Sequence, residues 1–250
     1  MPSALLDHPV LAGRMFYPQR ARLADPFWVQ APGGIELACH RRTVGEDAPT
    51  VVFFHGNGEL VSDYVPELPS LLARLGCNSV LAEYRGYGSS TGQPGLQAMV
   101  DDVAAVLDAI DVPDARLIFY GRSIGSIPAI RGVRLRPAAA ALVVDSGIFD
   151  VAERIALRVT PDELGVDART LADVVARELD PVPALRAFRG RSLFLHTRQD
   201  DLVELAHAER LFEASPDPKR LVVFERGDHN SIFAENRDAY VRALEELLRT

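Results

Sequence analysis

The sequence predicts an α/β domain in which a mostly parallel sheet of about eight strands lies between two layers of helices. Short apolar, β-branched runs alternate with segments of helical periodicity along the chain, and this alternation is typical of a parallel sheet with crossover helices. From residue 50 onward the strand-like runs contain few polar residues, as expected for strands covered on both faces. A length of 250 residues is sufficient for one large domain of this kind.

Eight runs have the strand pattern, and each ends near a residue that favours turns. They span residues 27–30, 35–41, 50–55, 79–83, 116–120, 141–145, 192–196 and 221–225. The first two flank the tight-turn sequence Pro32-Gly33-Gly34 and are predicted to form an antiparallel hairpin.

Helical periodicity is clearest in residues 96–110 and 238–249, where apolar residues recur on one face. Shorter helical patterns at 151–159 and 170–179 lie in the longest connection, residues 147–190. This connection fits either a crossover helix with additions or a small cap over the sheet edge at which open α/β sheets bind ligands. We interpret residues 1–250 as a single domain in which 147–190 is a cap-like helical insertion.

The composition excludes several classes of protein. Acidic side chains outnumber basic ones by 35 to 27, for a formal charge of −8, which argues against nucleic acid as a partner. No signal-peptide pattern begins the sequence, and the longest apolar run, residues 138–144, is far shorter than the ~20 residues of a spanning helix. We expect a cytoplasmic protein without a membrane anchor, whose oligomeric state remains open. The two cysteines, Cys39 and Cys77, lack the spacing of a disulfide framework or zinc site, and we expect neither metal nor cofactor.

A nucleophile motif stands at the end of the fifth strand run. The pentapeptide GRSIG (121–125) follows residues 116–120 and precedes a helical stretch at 124–135. In this context a G-x-S-x-G serine occupies a strained turn, and side chains at either glycine would collide with backbone. We predict Ser123 as the nucleophile and the Ile124 N–H as one donor of an oxyanion hole.

The base is expected at the same sheet edge, and His229, just past the last strand run, lies there. The other histidines belong to the N-terminal segment, the hairpin, the seventh strand run and a helical pattern: His8, His40, His196 and His207. We interpret His55 as a structural anchor of its loop. That loop, residues 55–59, has glycines that allow close approach to a substrate, and the Asn57 N–H is the predicted second oxyanion donor.

The acid that orients the histidine should follow another strand, between the serine and the histidine in the chain. Asp200 and Asp201 follow the seventh strand run, and Asp145 ends the sixth. We favour Asp200 and keep Asp201 and Asp145 as alternatives.

Together these motifs resemble the α/β-hydrolase superfamily. They are FHGNG at 54–58, YRGYGSS at 84–90, GRSIGS at 121–126, QDDLV at 199–203 and GDHN at 227–230. The sequence is similar above all to short serine esterases and thioesterases with little lid. The resemblance implies an α/β-hydrolase fold with Asp200 as the acid. Two departures are Gly58-Glu59 in place of a usual Ala-Gly, and Glu204 in place of a frequent proline.

The expected function is hydrolysis of a small-molecule carboxylic ester or thioester through a Ser123–His229–Asp200 triad and an acyl-enzyme. One alternative is a non-catalytic binding or regulatory protein of the same fold. Another is a peptidase or a cofactor-free perhydrolase of that fold.

Overall fold

One sheet of eight strands runs through the molecule, and the computed structural model describes residues 2–248 of the chain. The strands are β1 Phe27–Ala31, β2 Ile35–Arg42, β3 Thr50–Phe54, β4 Asn78–Ala82, β5 Leu117–Arg122, β6 Ala141–Asp145, β7 Arg191–Thr197 and β8 Lys219–Phe224. Their spatial order is β1-β2-β4-β3-β5-β6-β7-β8. The hairpin strands β1 and β2 are antiparallel to their neighbours, and β3 to β8 are parallel. The predicted fold class is confirmed, with every strand found where its pattern placed it.

Ten α-helices cover the sheet. They are α1 Pro9–Met15, α2 Val61–Tyr64, α3 Glu67–Arg74, α4 Leu96–Ile110, α5 Ser126–Leu135, α6 Val151–Ala156, α7 Ala168–Leu179, α8 Val182–Ala187, α9 Leu205–Ala214 and α10 Ile232–Leu248 within the described residues. Helix α4 has the predicted bounds, whereas α10 begins before residue 238 and is kinked at Asn236. The predicted end of α10, residue 249, lies outside the described residues.

The uninterrupted apolar strands serve two hydrophobic cores, one on each face of the sheet. In β3, Val52 and Phe54 belong to the core beneath α4 and α5, whereas Val51 and Phe53 belong to the core beneath α3 and α10. Successive side chains of a strand point to opposite faces. A strand covered on both faces therefore needs apolar residues at every position, which is why its sequence shows no alternation.

The long connection after β6 contains two kinds of structure. Helix α8 packs against α5 and α9 as part of the ordinary helical layer. Helix α6 and the turn after it instead reach the sheet edge where the parallel strands end, and they contribute Arg154 and Arg158 to the cavity described below. Among residues 2–248, no helix has the length and apolar character that crossing a bilayer would require.

Candidate active site

Ser123 lies on a sharp turn between β5 and α5. Its φ of 52° is in the left-handed region, a strained conformation for a residue with a side chain. A Cβ at Gly121 would overlap the carbonyl oxygen of Gly125, and one at Gly125 would overlap that of Phe54. The predicted reason for both glycines is confirmed: the turn leaves no room for a side chain beside the backbone of its neighbours.

A continuous hydrogen-bonded chain links the serine to a histidine and an aspartate. The Nε2 atom of His229 lies 2.9 Å from Ser123 Oγ, and its Nδ1 atom lies 2.7 Å from Asp200 Oδ2. All three side chains are buried. A carboxylate at Nδ1 favours the tautomer with the proton on that nitrogen, which leaves Nε2 free to accept the serine proton. The arrangement is chemically capable of activating the Ser123 hydroxyl.

Asp200 is held by its own loop as well as by the histidine. Its Oδ1 atom accepts hydrogen bonds from the backbone N–H groups of Leu202 at 3.0 Å and Val203 at 2.7 Å. Burial opposes the charge of Asp200, but the bonds from His229 and Val203 outweigh it, and the pKa of this carboxyl is below its ordinary value. Asp200 therefore faces His229 as a carboxylate at neutral pH.

The structure brings neither alternative acid to the histidine. Asp145 is buried at the end of β6, where its carboxylate accepts hydrogen bonds from Tyr240 at 2.6 Å and Ser146 at 2.8 Å. Asp201 is exposed on the surface of the loop of residues 197–203, which we call the acid loop. The two consecutive aspartates thus point in different directions, one inward to His229 and one to solvent.

His196 supports the acid loop and was not singled out from the sequence. Its ring is fully buried, and Nε2 donates to the carbonyl of Val203 at 2.8 Å. The same nitrogen lies 3.4 Å from Asp200 Oδ2. His196 therefore ties the loop of residues 197–203 to the end of β7. Its place at a strand end just before the acid loop could have indicated this role. The apolar run around it instead favoured a position in the hydrophobic core.

The loop predicted to supply an oxyanion donor is clamped through the side chain of Asn57. Its Oδ1 atom accepts hydrogen bonds from the Tyr17 N–H at 3.1 Å and the Tyr87 hydroxyl at 2.9 Å. Its Nδ2 atom donates to the carbonyl of Met15 at 2.6 Å. With the amide side chain fully engaged, Asn57 and Ile124 both line the cavity beside Ser123. The contribution of the segment after α1 to this clamp was missed from the sequence.

His55 anchors the start of this loop from within the core. Its Nδ1 atom lies 2.8 Å from the Gly56 carbonyl oxygen and its Nε2 atom 2.7 Å from Glu83 Oε1. Both partners are hydrogen-bond acceptors, so an imidazole that is protonated on both nitrogens can donate to each of them. Burial alone would lower the pKa of His55, but Glu83 and the Gly56 carbonyl raise it above its ordinary value. These contacts are those of a structural anchor.

An ion pair between Arg122 and Glu59 joins three loops of the site. Arg122 Nη1 lies 2.8 Å from Glu59 Oε1, and Nη2 donates to the carbonyl of His229 at 3.1 Å. Glu59 Oε2 accepts from the Gly56 N–H at 2.6 Å and from the Tyr64 hydroxyl. The departure from Ala-Gly at positions 58 and 59 therefore has a structural role. Position 122 is a variable position of the G-x-S-x-G motif, so the role of Arg122 was not predicted from the sequence.

The loops surround a cavity of about 310 Å³. Ser123 and His229 both line it. Its apolar lining consists of Met15, Tyr17, Ile124, Ile148, Leu202 and Val203. Arg154 and Arg158 add two guanidinium groups from the α6 side. The volume is near the lower limit of small-molecule sites and fits a short substrate chain beside the serine.

Residues 45–180 match the protein family described as serine aminopeptidase, S33. The match spans more than half of the chain. The chain belongs to this α/β-hydrolase family. The part that matches the S33 family contains the loop around Asn57 and the turn at Ser123, whereas Asp200 and His229 follow its end.

The chain is similar to individual proteins of bacteria and animals. It is 27% identical over 198 residues to the uncharacterized protein YfhR of Escherichia coli O157:H7, covering 76% of this chain and 66% of YfhR. It is 27% identical over 215 residues to α/β hydrolase domain-containing protein 17B of Xenopus tropicalis, covering 82% of this chain and 69% of that protein. The alignment thus spans just under two thirds of the length of YfhR.

The fold has a close counterpart among solved structures. The esterase EaEST of Exiguobacterium antarcticum superposes with a TM-score of 0.69 and 20% identity, covering 90% of this chain and 100% of the esterase. At that identity the similarity concerns the fold.

Proposed function

We propose that this chain is a serine hydrolase that cleaves a carboxylic ester or thioester through Ser123, His229 and Asp200. The observation that supports it most is the unbroken chain of contacts from Ser123 Oγ to His229, at 2.9 Å, and from His229 to Asp200, at 2.7 Å. A serine hydroxyl is a weak nucleophile unless a positioned base accepts its proton. Here the serine and its base both line one cavity, and the carboxylate that orients the base is covered behind them.

In the first half of the proposed reaction, Ser123 Oγ attacks the carbonyl carbon of the substrate while His229 Nε2 accepts the hydroxyl proton. Asp200 remains ionised and stabilises the imidazolium that forms. The backbone N–H groups of Ile124 and Asn57 donate to the oxyanion of the tetrahedral intermediate. His229 then protonates the departing alkoxide or thiolate, which leaves an acyl group on Ser123.

In the second half, a water molecule takes the place of the alcohol or thiol. His229 accepts its proton, the hydroxide attacks the acyl carbon, and the same two amides bind the second oxyanion. Collapse of this intermediate returns the proton from His229 to Ser123 Oγ and releases the carboxylic acid. No group beyond those of the chain and water is required for either half.

An aminopeptidase activity is the second candidate, since the family is described by that name. Recognition of a free α-amino group would call for an unengaged carboxylate in the cavity. Glu59 is the only acidic residue among the described residues that line it, and this carboxylate already contacts Arg122, Tyr64 and the Gly56 N–H. The charge distribution of the cavity therefore favours an ester or thioester over a peptide with a free amino terminus.

Replacement of the nucleophile tests the proposal. Ser123→Ala should abolish labelling by a fluorophosphonate and lower the kcat of p-nitrophenyl butyrate hydrolysis by about 10³-fold or more, because the acyl-enzyme no longer forms. Ser89→Ala removes a hydroxyl whose single hydrogen bond within residues 2–248 is to the Ala21 carbonyl, and this variant should label and turn over as the unmodified chain does.

The competing functions predict different results. A non-catalytic binding protein would fail to react with the fluorophosphonate even with Ser123 in place. An aminopeptidase would hydrolyse aminoacyl p-nitroanilides faster than p-nitrophenyl esters of the same acyl length. A perhydrolase would form peracid from acetate and hydrogen peroxide in preference to hydrolysing esters. Any of these results would contradict the proposed ester or thioester hydrolysis.

A further inference from the structure

The α6 side of the cavity contributes two arginines that differ in how they are bound. Arg154 Nη2 donates to the carbonyl of Leu202 at 2.8 Å, and its Nη1 atom lies 3.5 Å from Glu153. This guanidinium fastens α6 to the acid loop. Arg158 lies four residues further on, immediately after the helix, and it also lines the cavity.

The guanidinium of Arg158 makes no hydrogen bond and no ion pair with any residue in the described part of the chain, although its side chain is only partly exposed. Its backbone, by contrast, is held: its N–H donates to Ile155 at 2.9 Å, and its carbonyl accepts from Arg14 Nη1 at 3.0 Å. A partly desolvated charge without a partner is unfavourable. The fold therefore fixes the position of Arg158 and leaves its charge available.

The remaining charges of the cavity do not neutralise it. Glu59 is paired with Arg122 at 2.8 Å, and the side chain of Asp200 is fully covered and bound to His229. The chain as a whole has 35 acidic and 27 basic side chains and is therefore negatively charged. The cavity differs from it in having more basic than acidic side chains. Such a local excess is typical of a site that binds an anion.

We propose that Arg158 binds an anionic group of the substrate, a carboxylate or a phosphate that lies away from the scissile carbonyl. A guanidinium presents a planar pair of N–H donors that matches both groups. Ser123, Arg158 and the apolar residues Met15, Ile148 and Leu202 line the same cavity, which suits a short chain that connects the two ends of such a substrate. This inference rests on the proposed function and assigns the class of substrate: short esters or thioesters with a second, charged end.

Two arms of one experiment distinguish the source of the anion. In the acyl arm, kcat/KM is measured for mono-p-nitrophenyl adipate, which has a free carboxylate, and for its methyl ester, which is neutral and of nearly equal length. In the leaving-group arm, butyryl-coenzyme A, which has phosphates, is compared with the neutral butyryl thioester of N-acetylcysteamine. We expect the unmodified chain to favour the anionic member of at least one pair by about tenfold.

Substitutions at position 158 then assign that preference to the guanidinium. Arg158→Gln should lower kcat/KM for the anionic substrate by about tenfold and leave the neutral one within about twofold. Arg158→Lys keeps the positive charge but lacks the planar pair of N–H donors, and it should retain part of the preference. Arg169→Gln is the matched control, because this arginine lies on α7, is 90% exposed and does not line the cavity.

The same pairs are also tested as competitors of fluorophosphonate labelling, so that a slowly hydrolysed substrate still reports binding. The proposal is overturned if neither pair shows an anionic preference, or if Arg158→Gln and Arg169→Gln keep the preference equally. Failure of the proposed function gives a different result: the unmodified chain is then not labelled by the fluorophosphonate, or Ser123→Ala keeps the labelling and turnover of the unmodified chain.

Discussion

The loops around Ser123 and the residue Arg158 on the α6 side of the cavity are held in opposite ways. Around Ser123 each polar group is bound: Asp200 by two backbone N–H groups, Asn57 through both ends of its amide, and Arg122 between Glu59 and the His229 carbonyl. On the α6 side the guanidinium of Arg158 has no hydrogen-bond or ion-pair partner among the described residues. Leu157, the residue before Arg158, is 63% exposed, so this turn is loosely packed.

This difference separates two requirements of a hydrolase. Groups that act in a transition state must be held in place before the substrate arrives, because reorganising them during the reaction would raise the barrier. Groups that recognise one end of a substrate can obtain their partner from the substrate itself. The fold accordingly places the proposed chemistry on strand ends and clamped loops, and the proposed recognition on the turn after α6 in the longest connection.

The largest expected effect comes from the held side, at Asp200. Asp200→Asn should lower kcat for p-nitrophenyl butyrate by about 10³- to 10⁴-fold, because the amide no longer stabilises the imidazolium and does not fix the same tautomer. Asp201→Asn is the matched control: that side chain is exposed, and its loss should alter kcat by less than about twofold. Equal effects at both positions would contradict the assignment of Asp200.

A smaller loss is expected when the link between the loops is broken. Arg122→Gln removes the partner of Glu59 and the bond to the His229 carbonyl, leaving a partly buried carboxylate without its cation. We expect kcat/KM for the same ester to fall by about 10- to 100-fold, since the reacting groups lose their alignment. The thermal midpoint should fall as well, because unpairing a buried charge is destabilising.

The double variant Arg122→Gln/Glu59→Gln sharpens this test. If the two side chains act as a pair, removing the second charge should recover part of the stability lost by removing the first, and the two effects should not add. Strict additivity in both the thermal midpoint and kcat/KM would show that Arg122 and Glu59 act independently.

The smallest expected effect is a pH-dependent change in stability at His55. The pKa of His55 in the folded chain is above its ordinary value, so its stabilising contribution is complete below about pH 6.5 and declines as the pH rises through the raised value. Relative to the unmodified chain, His55→Gln should lose about 1–3 kcal/mol of unfolding free energy below pH 6.5, and less at higher pH. Denaturant unfolding at a series of pH values measures the difference.

His40→Gln is the matched control for this series. Burial, with a contribution from Arg42, lowers the pKa of His40, so its proton uptake on unfolding lowers the stability of the native chain as the pH falls. His40→Gln should therefore have a higher unfolding free energy than the unmodified chain at acidic pH, whereas His55→Gln should have a lower one. A deficit of His55→Gln that does not vary with pH would contradict the charged state assigned to His55.

Much of the fold and of the candidate site was accessible from the sequence because it depends on short-range patterns. Strands β3 to β7 are buried on both faces, which is why a run such as residues 51–54 is apolar throughout. The turn at Ser123 requires glycines at positions 121 and 125, so its motif is local. Because parallel strands end at one edge, the loops that follow β5, β7 and β8 were expected to converge, and Ser123, Asp200 and His229 do lie within hydrogen-bond distance.

Other features escaped prediction because their partners are distant in the chain. Arg122 pairs with Glu59, and Asn57 is clamped by the segment after α1, yet neither pairing leaves a periodic trace in the sequence. The short helices α2 and α8 were also missed as elements, because one or two turns of helix give too little periodicity to distinguish from a loop.

By itself, the sequence determined the sheet, the sharp turn at Ser123 and the order of Ser123, Asp200 and His229 along the chain, because strand burial and backbone sterics act over a few residues. It left three aspartates as candidate partners of His229, and only the tertiary structure shows where each one lies: Asp200 contacts His229, Asp201 faces solvent, and Asp145 is bound by Tyr240 and Ser146. The charge of the cavity was decided in the same way. Whether an arginine is neutralised depends on the folded distance to a carboxylate, which pairs Arg122 with Glu59 and leaves Arg158 facing the cavity.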